Sequence, residues 1–229
     1  MSKFQYKSYG NTINPRKLVV FIHGYKSSMS ALAADVGLLS SMLPNCLVVT
    51  PQSNKVHKDS NVLEWYDVSV YDPERKRRNP QTSVDEVVEI YNKAGKQLSE
   101  QAREINCFID EIQKLYNVSN DDTYIAGFSQ GAMMSIYTAL SRKDRIGGCF
   151  ALSGIVAGKD ELAKEIKSYP TIYMLHGKDD ITVQHKTLEF SVDWLKKHNI
   201  DVQVCEYENM AHKITNAEME FIAGVVEKK

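Results

Sequence analysis

The sequence predicts an α/β fold: one domain with a mostly parallel central sheet and helices on both faces. Three observations predict it. Short β-rich runs alternate with longer helical ones along the chain. Most of the β-rich runs are continuously apolar, as in strands covered on both faces, rather than alternating as in half-exposed ones. Neither a fixed-period repeat nor a shift in composition divides the 229 residues. Strands separated by helices build βαβ units and hence a parallel sheet. A chain of this length buries one large core, or at most two small ones. One domain over residues 1–229 is the expectation.

The elements follow in order. "FQYKSY" near the start alternates and reads as an edge strand. "KLVVFIHG" (Lys17–Gly24), "CLVVTP" (Cys46–Pro51) and "TYIAGF" (Thr123–Phe128) read as central strands. So do "GGCFALSG" (Gly147–Gly154), "TIYMLHG" (Thr171–Gly177) and "VQVCEY" (Val202–Tyr207). Helical spacing covers residues near 29–43, 84–116, 130–142, 184–198 and 213–227. The longest of these sets Leu98, Ala102, Ile105, Ile109, Ile112 and Tyr116 at steps of three and four. Ser83 with Glu86 forms a capping box at its start, and Gly95 bends or divides it. Residues 53–83 resist the scheme. They are polar, long and interrupted by prolines, and loops of that kind bind, cover a site or stay mobile. This one is expected to act as a lid or a substrate-binding segment.

Composition narrows the function. Hydrophobic residues make up 43% and charged residues 25%, as in water-soluble globular proteins. The formal net charge of −1 gives no whole-molecule field toward nucleic acid or a membrane surface. "MSKFQYKSYG" lacks the apolar stretch of a secretory signal, and no run approaches the roughly 20 apolar residues of a membrane span. Cys46, Cys107, Cys149 and Cys205 are far apart and form no C-x-x-C pair. Three of them fall in apolar strand-like or helical segments, which predicts buried free thiols in a reducing, cytoplasmic compartment.

One pentapeptide raises chemistry. Gly127-Phe128-Ser129-Gln130-Gly131 is a G-x-S-x-G between a predicted strand and a predicted helix. Chance alone supplies the pattern in roughly one chain in ten of this length, so partners decide. A strand–turn–helix puts Ser129 at the carboxyl edge of the sheet, beside a helix amino terminus. A hydroxyl is a weak nucleophile at neutral pH and needs a base, which in turn needs an orienting acid. Of six histidines, His212 lies just past the last strand and before the last helix. His23 and His176 end strands and suit local hydrogen bonding, His57 lies in the long loop, and His185 and His198 belong to a surface helix. Asp179 and Asp180 directly follow the strand ending at His176. The order Ser129, Asp180, His212 is the serine–acid–histidine order of the α/β-hydrolase fold. An oxyanion hole requires two backbone N–H groups. Gln130, after the nucleophile, supplies one and Tyr25, in the turn after the first central strand, the second.

With these residues in view, the chain resembles the phospholipase/carboxylesterase family, which includes acyl-protein thioesterases and small bacterial carboxylesterases. "FIHGYKSS", "EWYDV", "GFSQGA", "LHGKDDITV" and "NMAH" fall in that family's order. "GFSQGA" is its usual elbow, and Trp65-Tyr66-Asp67 in the long loop is a second match. The family's H-G-x-x-D-x-x-V places the acid on Asp180. One departure stands out: His23-Gly24 is followed by Tyr25, Lys26, Ser27 and Ser28, where the family reads H-G-x-G-D. Tyr25 takes a position often filled by leucine near the acyl site, which implies a shorter pocket. The resemblance implies hydrolysis of carboxylic esters or thioesters through an acyl-enzyme, with no metal or organic cofactor. The substrate would be a small-molecule or lipid-like ester, and no nucleic acid or stable membrane insertion is implied. Trp65 is expected at the substrate, or else as an anchor of the loop to the sheet edge. Arg75, Lys76, Arg77 and Arg78 read as a solvated loop, with attraction of an anionic headgroup as the functional alternative. A non-catalytic α/β-hydrolase-fold binding protein is the competing function. A nucleotide-binding domain is weaker, because no phosphate-loop motif follows the first strand.

Overall fold

The computed structural model describes residues 4–57, 60 and 62–228. In chain order it contains β1 (Tyr6–Gly10), β2 (Lys17–Ile22), α1 (Ala33–Met42), β3 (Cys46–Pro51), β4 (Lys55–Val56) and β5 (Leu63–Glu64). There follow α2 (Val84–Asn92), α3 (Gly95–Tyr116), β6 (Thr123–Phe128), α4 (Gln130–Ser141), β7 (Gly148–Leu152) and α5 (Lys159–Glu165). The chain ends with β8 (Ile172–Gly177), α6 (Leu188–Lys197), β9 (Val202–Tyr207) and α7 (Asn216–Lys228).

Seven strands form one sheet in the order β1-β3-β2-β6-β7-β8-β9. Only β1 runs antiparallel, pairing Tyr6 with Pro51 and Gly10 with Leu47 at the edge. The sheet is thus mostly parallel, and β2, β6, β8 and β9 all end at the same edge. Strand residues alternate between two cores. Leu18, Val20, Ile22, Ile125 and Met174 pack under α2 to α6. Val19, Phe21, Ala126, Phe150 and Leu175 pack under α1 and α7. This two-sided burial explains the unbroken apolar runs, since a strand covered on both faces has no position to leave polar.

Several expectations are refined. Gly95 divides the long helical pattern: α2 stops at Asn92 and α3 opens on Gly95. A Cβ on Gly95 would lie 2.9 Å from Glu161 Cβ, so the break lets α5 pack closely. Only half of the capping box forms, with Ser83 Oγ accepting from Glu86 N–H at 3.2 Å. Helix α5, seven residues long, is too short to show a period and was not expected. Cys46 and Cys149 are buried, whereas Cys205 is half-buried and Cys107 is exposed on α3.

Residues 53–83 are not structureless. They hold the β4–β5 hairpin and two short 3₁₀ turns, Ser69–Tyr71 and Lys76–Arg78. Asp72 organises the second turn: one oxygen accepts from Lys76 N–H, the other from Arg77 N–H and Arg77 Nη1. From across the sheet edge, Gln184 Nε2 donates to the carbonyls of Arg77 and Asn79, and Lys186 Nζ to those of Pro80 and Thr82.

Candidate active site

Strand β6 passes into α4 through one residue, Ser129, with φ 58° and ψ −117°. A non-glycine residue in so sparse a region costs of order 1–3 kcal/mol and persists only where its surroundings fix it. Here they do. Ser129 N–H donates to Leu152 O of β7 at 2.9 Å, and its carbonyl accepts from Ala132 and Met133. The flanking glycines are obligatory. A Cβ on Gly127 would stand 2.3 Å from Gly131 O, and one on Gly131 would stand 2.2 Å from Ile22 O. The turn therefore lifts the serine hydroxyl off the sheet edge.

The loop after β9 brings His212 to that hydroxyl. Gly177, at the end of β8, permits the approach, since a Cβ there would lie 2.1 Å from Met210 O. Asp179 N–H then donates to Met210 O at 3.1 Å. The imidazole packs on the Phe128 ring, centroids 4.7 Å apart. Ser129 Oγ donates to His212 Nε2 at 3.0 Å, and His212 Nδ1–H donates to Asp180 Oδ2 at 2.7 Å. Asp180 is buried, and its other oxygen accepts from Thr182 N–H (2.8 Å) and Val183 N–H (3.0 Å). Burial pushes the Asp180 carboxyl up, but hydrogen bonds and charge from His176 and His212 outweigh it and hold the group well below the usual range. An ionised Asp180 fixes the Nδ1–H tautomer and leaves Nε2 free to take a proton from Ser129. His176, 3.5 Å from Asp180 Oδ2, donates its Nε2–H to Val183 O. Its supporting place behind the acid was not anticipated; the only sequence signal was a histidine before glycine at a strand end. Asp179 is exposed and stands outside this chain of bonds.

Tyr25 and Gln130 both border the space at Ser129. Gln130 opens α4, where the first N–H groups have no intrahelical acceptor. The His23–Tyr25 turn passes at van der Waals distance, because a Cβ on Gly24 would meet Ser129 Cβ at 3.4 Å. Among the described residues, no main-chain carbonyl accepts from the N–H of Tyr25 or Gln130. His23 shapes that turn: its Nδ1–H donates to Gly24 O (2.9 Å) and its Nε2 accepts from Ser53 N–H (3.0 Å). Burial lowers the His23 pKa, which preserves the neutral ring those two roles need.

Trp65 takes the second of its two expected places, as the anchor of the loop and not at the substrate. It is fully buried and does not line the space at Ser129. Its Nε1–H donates to His23 O (2.7 Å) and its ring lies 5.0 Å from that of His23, so it anchors the loop beneath the turn. The neighbouring Tyr66 faces the site instead. The Gln130 side chain holds both residues: its Oε1 accepts from Trp65 N–H and its Nε2 donates to Tyr66 O, each at 2.7 Å. The space directly over Ser129 measures about 30 Å³, with Tyr25, Tyr66, Tyr91, Met133 and Val183 in its wall. Separately, His57, Glu64 and Asp67 bring one ligand atom each within 4.8 Å of one another, a grouping able to hold a cation.

A family profile described as Phospholipase/Carboxylesterase matches residues 11–229. The chain belongs to the phospholipase/carboxylesterase family. The family is one of ester hydrolases, and the sheet and its flanking helices are those of the α/β-hydrolase fold. Among curated relatives, acyl-protein thioesterase 1 of Neurospora crassa is 27% identical over 219 residues, covering 89% of this chain and 83% of that protein. The Dictyostelium discoideum protein named acyl-protein thioesterase 1 homolog 1 is 28% identical over 134 residues. That match spans 58% of this chain and only 59% of the relative's length. A crystal structure of esterase PE8 superposes with TM-score 0.82 at 21% identity, covering 99% of both chains. No helix among the described residues is long and apolar enough to cross a membrane.

Proposed function

We propose that the protein is a serine hydrolase that cleaves carboxylic esters or thioesters through an acyl-enzyme. The carrying observation is the continuous hydrogen-bonded chain from Ser129 through His212 to Asp180, at 3.0 and 2.7 Å. In this reading Ser129 Oγ attacks the acyl carbon while His212 Nε2 takes the proton. Asp180 stabilises the imidazolium and holds its orientation. The N–H groups of Tyr25 and Gln130 receive the oxyanion, each such donor contributing about 3–4 kcal/mol to the transition state. His212 then protonates the departing alcohol or thiol, and the same cycle with water frees the acid.

The substrate is a small-molecule or lipid-like ester with a short acyl group. The space beside Ser129 is small, about 30 Å³, and three tyrosines and a methionine line it. An acetyl methyl fits such a space, whereas a long acyl chain requires the wall to move. A binding protein of the same fold has no use for a strained serine with an aligned base and acid, so the catalytic reading is preferred. The free cysteines support a cytoplasmic location.

The test is a series of p-nitrophenyl esters from acetate to palmitate, beside a fluorophosphonate probe. Acetate and butyrate are expected to be hydrolysed fastest, with a fall beyond them. Ser129→Ala is expected to lose probe labelling and about 10⁴-fold or more of the turnover. Undiminished turnover in that variant would assign the activity to another nucleophile.

A further inference from the structure

A second cavity adjoins the first. It measures about 640 Å³ and is bordered by the turn after β2, by His57 and Ser60, and by residues 69–78 of the long loop. That volume suits a small molecule rather than a flat contact with a macromolecule. Tyr25, Arg77 and Arg78 line both cavities, so the two share a wall beside Ser129. It is the natural seat for whatever part of an ester lies beyond the scissile bond.

Its wall is basic. Lys26, Arg75, Arg77 and Arg78 face it, and Asp72 is the single carboxylate among its described lining residues. Asp72 is already engaged, bound to the buried Arg77 guanidinium at 2.6 Å. Four cations less one anion leave three positive charges, and neither Arg75 nor Arg78 has a carboxylate within ion-pair distance among the described residues. Lys76, the remaining cation of the run, turns away toward Glu74 and Glu86. Glu64 and Asp67 do not line the cavity but stand close behind it: Ser69 N–H and Oγ donate to Asp67 Oδ1, and both carboxylates group with His57. Tyr25, His57, Ser60, Ser69, Val70 and Pro73 make up the rest of the described wall.

The arrangement is built rather than a by-product of a solvated loop. Lys26 and Arg75 both adopt left-handed backbone, with φ of 61° and 57°. That conformation is uncommon for long side chains. The Asp72 turn and the Gln184 bonds fix the backbone from which Arg75 and Arg78 project. Like charges held so close repel unless an anion sits among them, and arginine forks match carboxylate, sulfonate and phosphate oxygens.

We infer that this cavity is an anion subsite, and that the ester cleaved at Ser129 carries a carboxylate, sulfonate or phosphate group on its leaving alcohol. The inference rests on the serine-hydrolase reading for the reaction, but not for the binding. Two measurements therefore separate them. In the first, kcat/KM is compared for phenyl acetate, 4-sulfophenyl acetate and 4-(trimethylammonio)phenyl acetate at low and high salt. The sulfonate is expected to exceed phenyl acetate by about tenfold or more at low salt, and the cationic ester to be the poorest. Arg75→Gln with Arg78→Gln should bring the sulfonate to within about twofold of phenyl acetate, both measured on that same variant. Equal rates on all three esters, or a preference that survives in the double variant, would overturn the subsite. In the second, 4-hydroxybenzenesulfonate is titrated into the Ser129→Ala protein by calorimetry. Binding that disappears in the arginine double variant supports the subsite even if no ester is turned over. Absence of binding, or binding indifferent to both arginines, rejects it. Inorganic phosphate in place of the phenol tells whether the charge alone suffices, and binding as tight as the phenol's would assign the cavity to a free anion and overturn the leaving-group role.

Discussion

At Asp180 a single side chain separates two adjacent acids. Asp179 and Asp180 both follow β8, and the run "GKDD" alone does not choose between them. The structure puts Asp180 inside, with one oxygen on His212 and the other on two amides, and leaves Asp179 in solvent. Asp180→Asn is expected to lower kcat by about 10⁴-fold, because an amide there selects the wrong imidazole tautomer. Asp179→Asn should stay within about twofold of the parent in the same p-nitrophenyl acetate assay. If the two variants behave alike, the assignment of the orienting acid fails. The residue types of this site were readable because the chemistry demands them. The roles of Trp65 and Gln130 were not, since a buried anchor and a cavity wall draw on the same aromatic and amide side chains. Which of two neighbouring residues, Trp65 or Tyr66, faces the serine is decided by the hairpin β4–β5, two residues per strand, too short to leave a periodic trace.

At the scale of elements, the strands and long helices were legible and the connections were not. β2, β3, β6, β7 and β8 announce themselves as apolar runs because both faces are covered. The turns of residues 53–83 are held instead by particular side chains, notably Asp72, Gln97, Gln130 and Gln184, and α5 by Asn92, Ser99 and Tyr137. Long-range bonds of that kind carry no local sequence pattern. Gln130 makes the clearest case. Gln130→Leu keeps the volume but strands Trp65 N–H and Tyr66 O, both in buried residues, at about 1–3 kcal/mol each. The variant should lose stability in urea unfolding and show faster amide exchange at Trp65, with activity falling as the wall of the site loosens. Unchanged exchange at Trp65 would show that other contacts hold the loop.

For the molecule as a whole, one buried group outside the site links stability to pH. Glu218, in the first turn of α7, accepts from Thr215 N–H and Thr215 Oγ1 through Oε2, a capping arrangement. Burial raises its carboxyl to about 7, against the lowering effect of those bonds. The folded state therefore holds a proton that the unfolded chain releases near 4.5. Stability from this group is complete below pH 4.5, falls between 4.5 and about 7, and is level above. Glu218→Gln removes the ionisation, so its advantage over the parent should grow across that window, reaching at most about 3 kcal/mol. Urea unfolding at pH 4.5, 5.5, 7 and 8 measures it. A constant difference at all four values would mean that Glu218 ionises as easily folded as unfolded.

The Gln130 amide also sets a rule for grafting. Of the insert between β3 and α2, Gln130 asks one N–H and, a residue later, one C=O, offered side by side. A foreign insert that presents this pair would meet the first requirement for docking beside Ser129. One that does not would leave a buried amide with nothing to hold, and the transplant would fail at that seam before its own binding properties came into play.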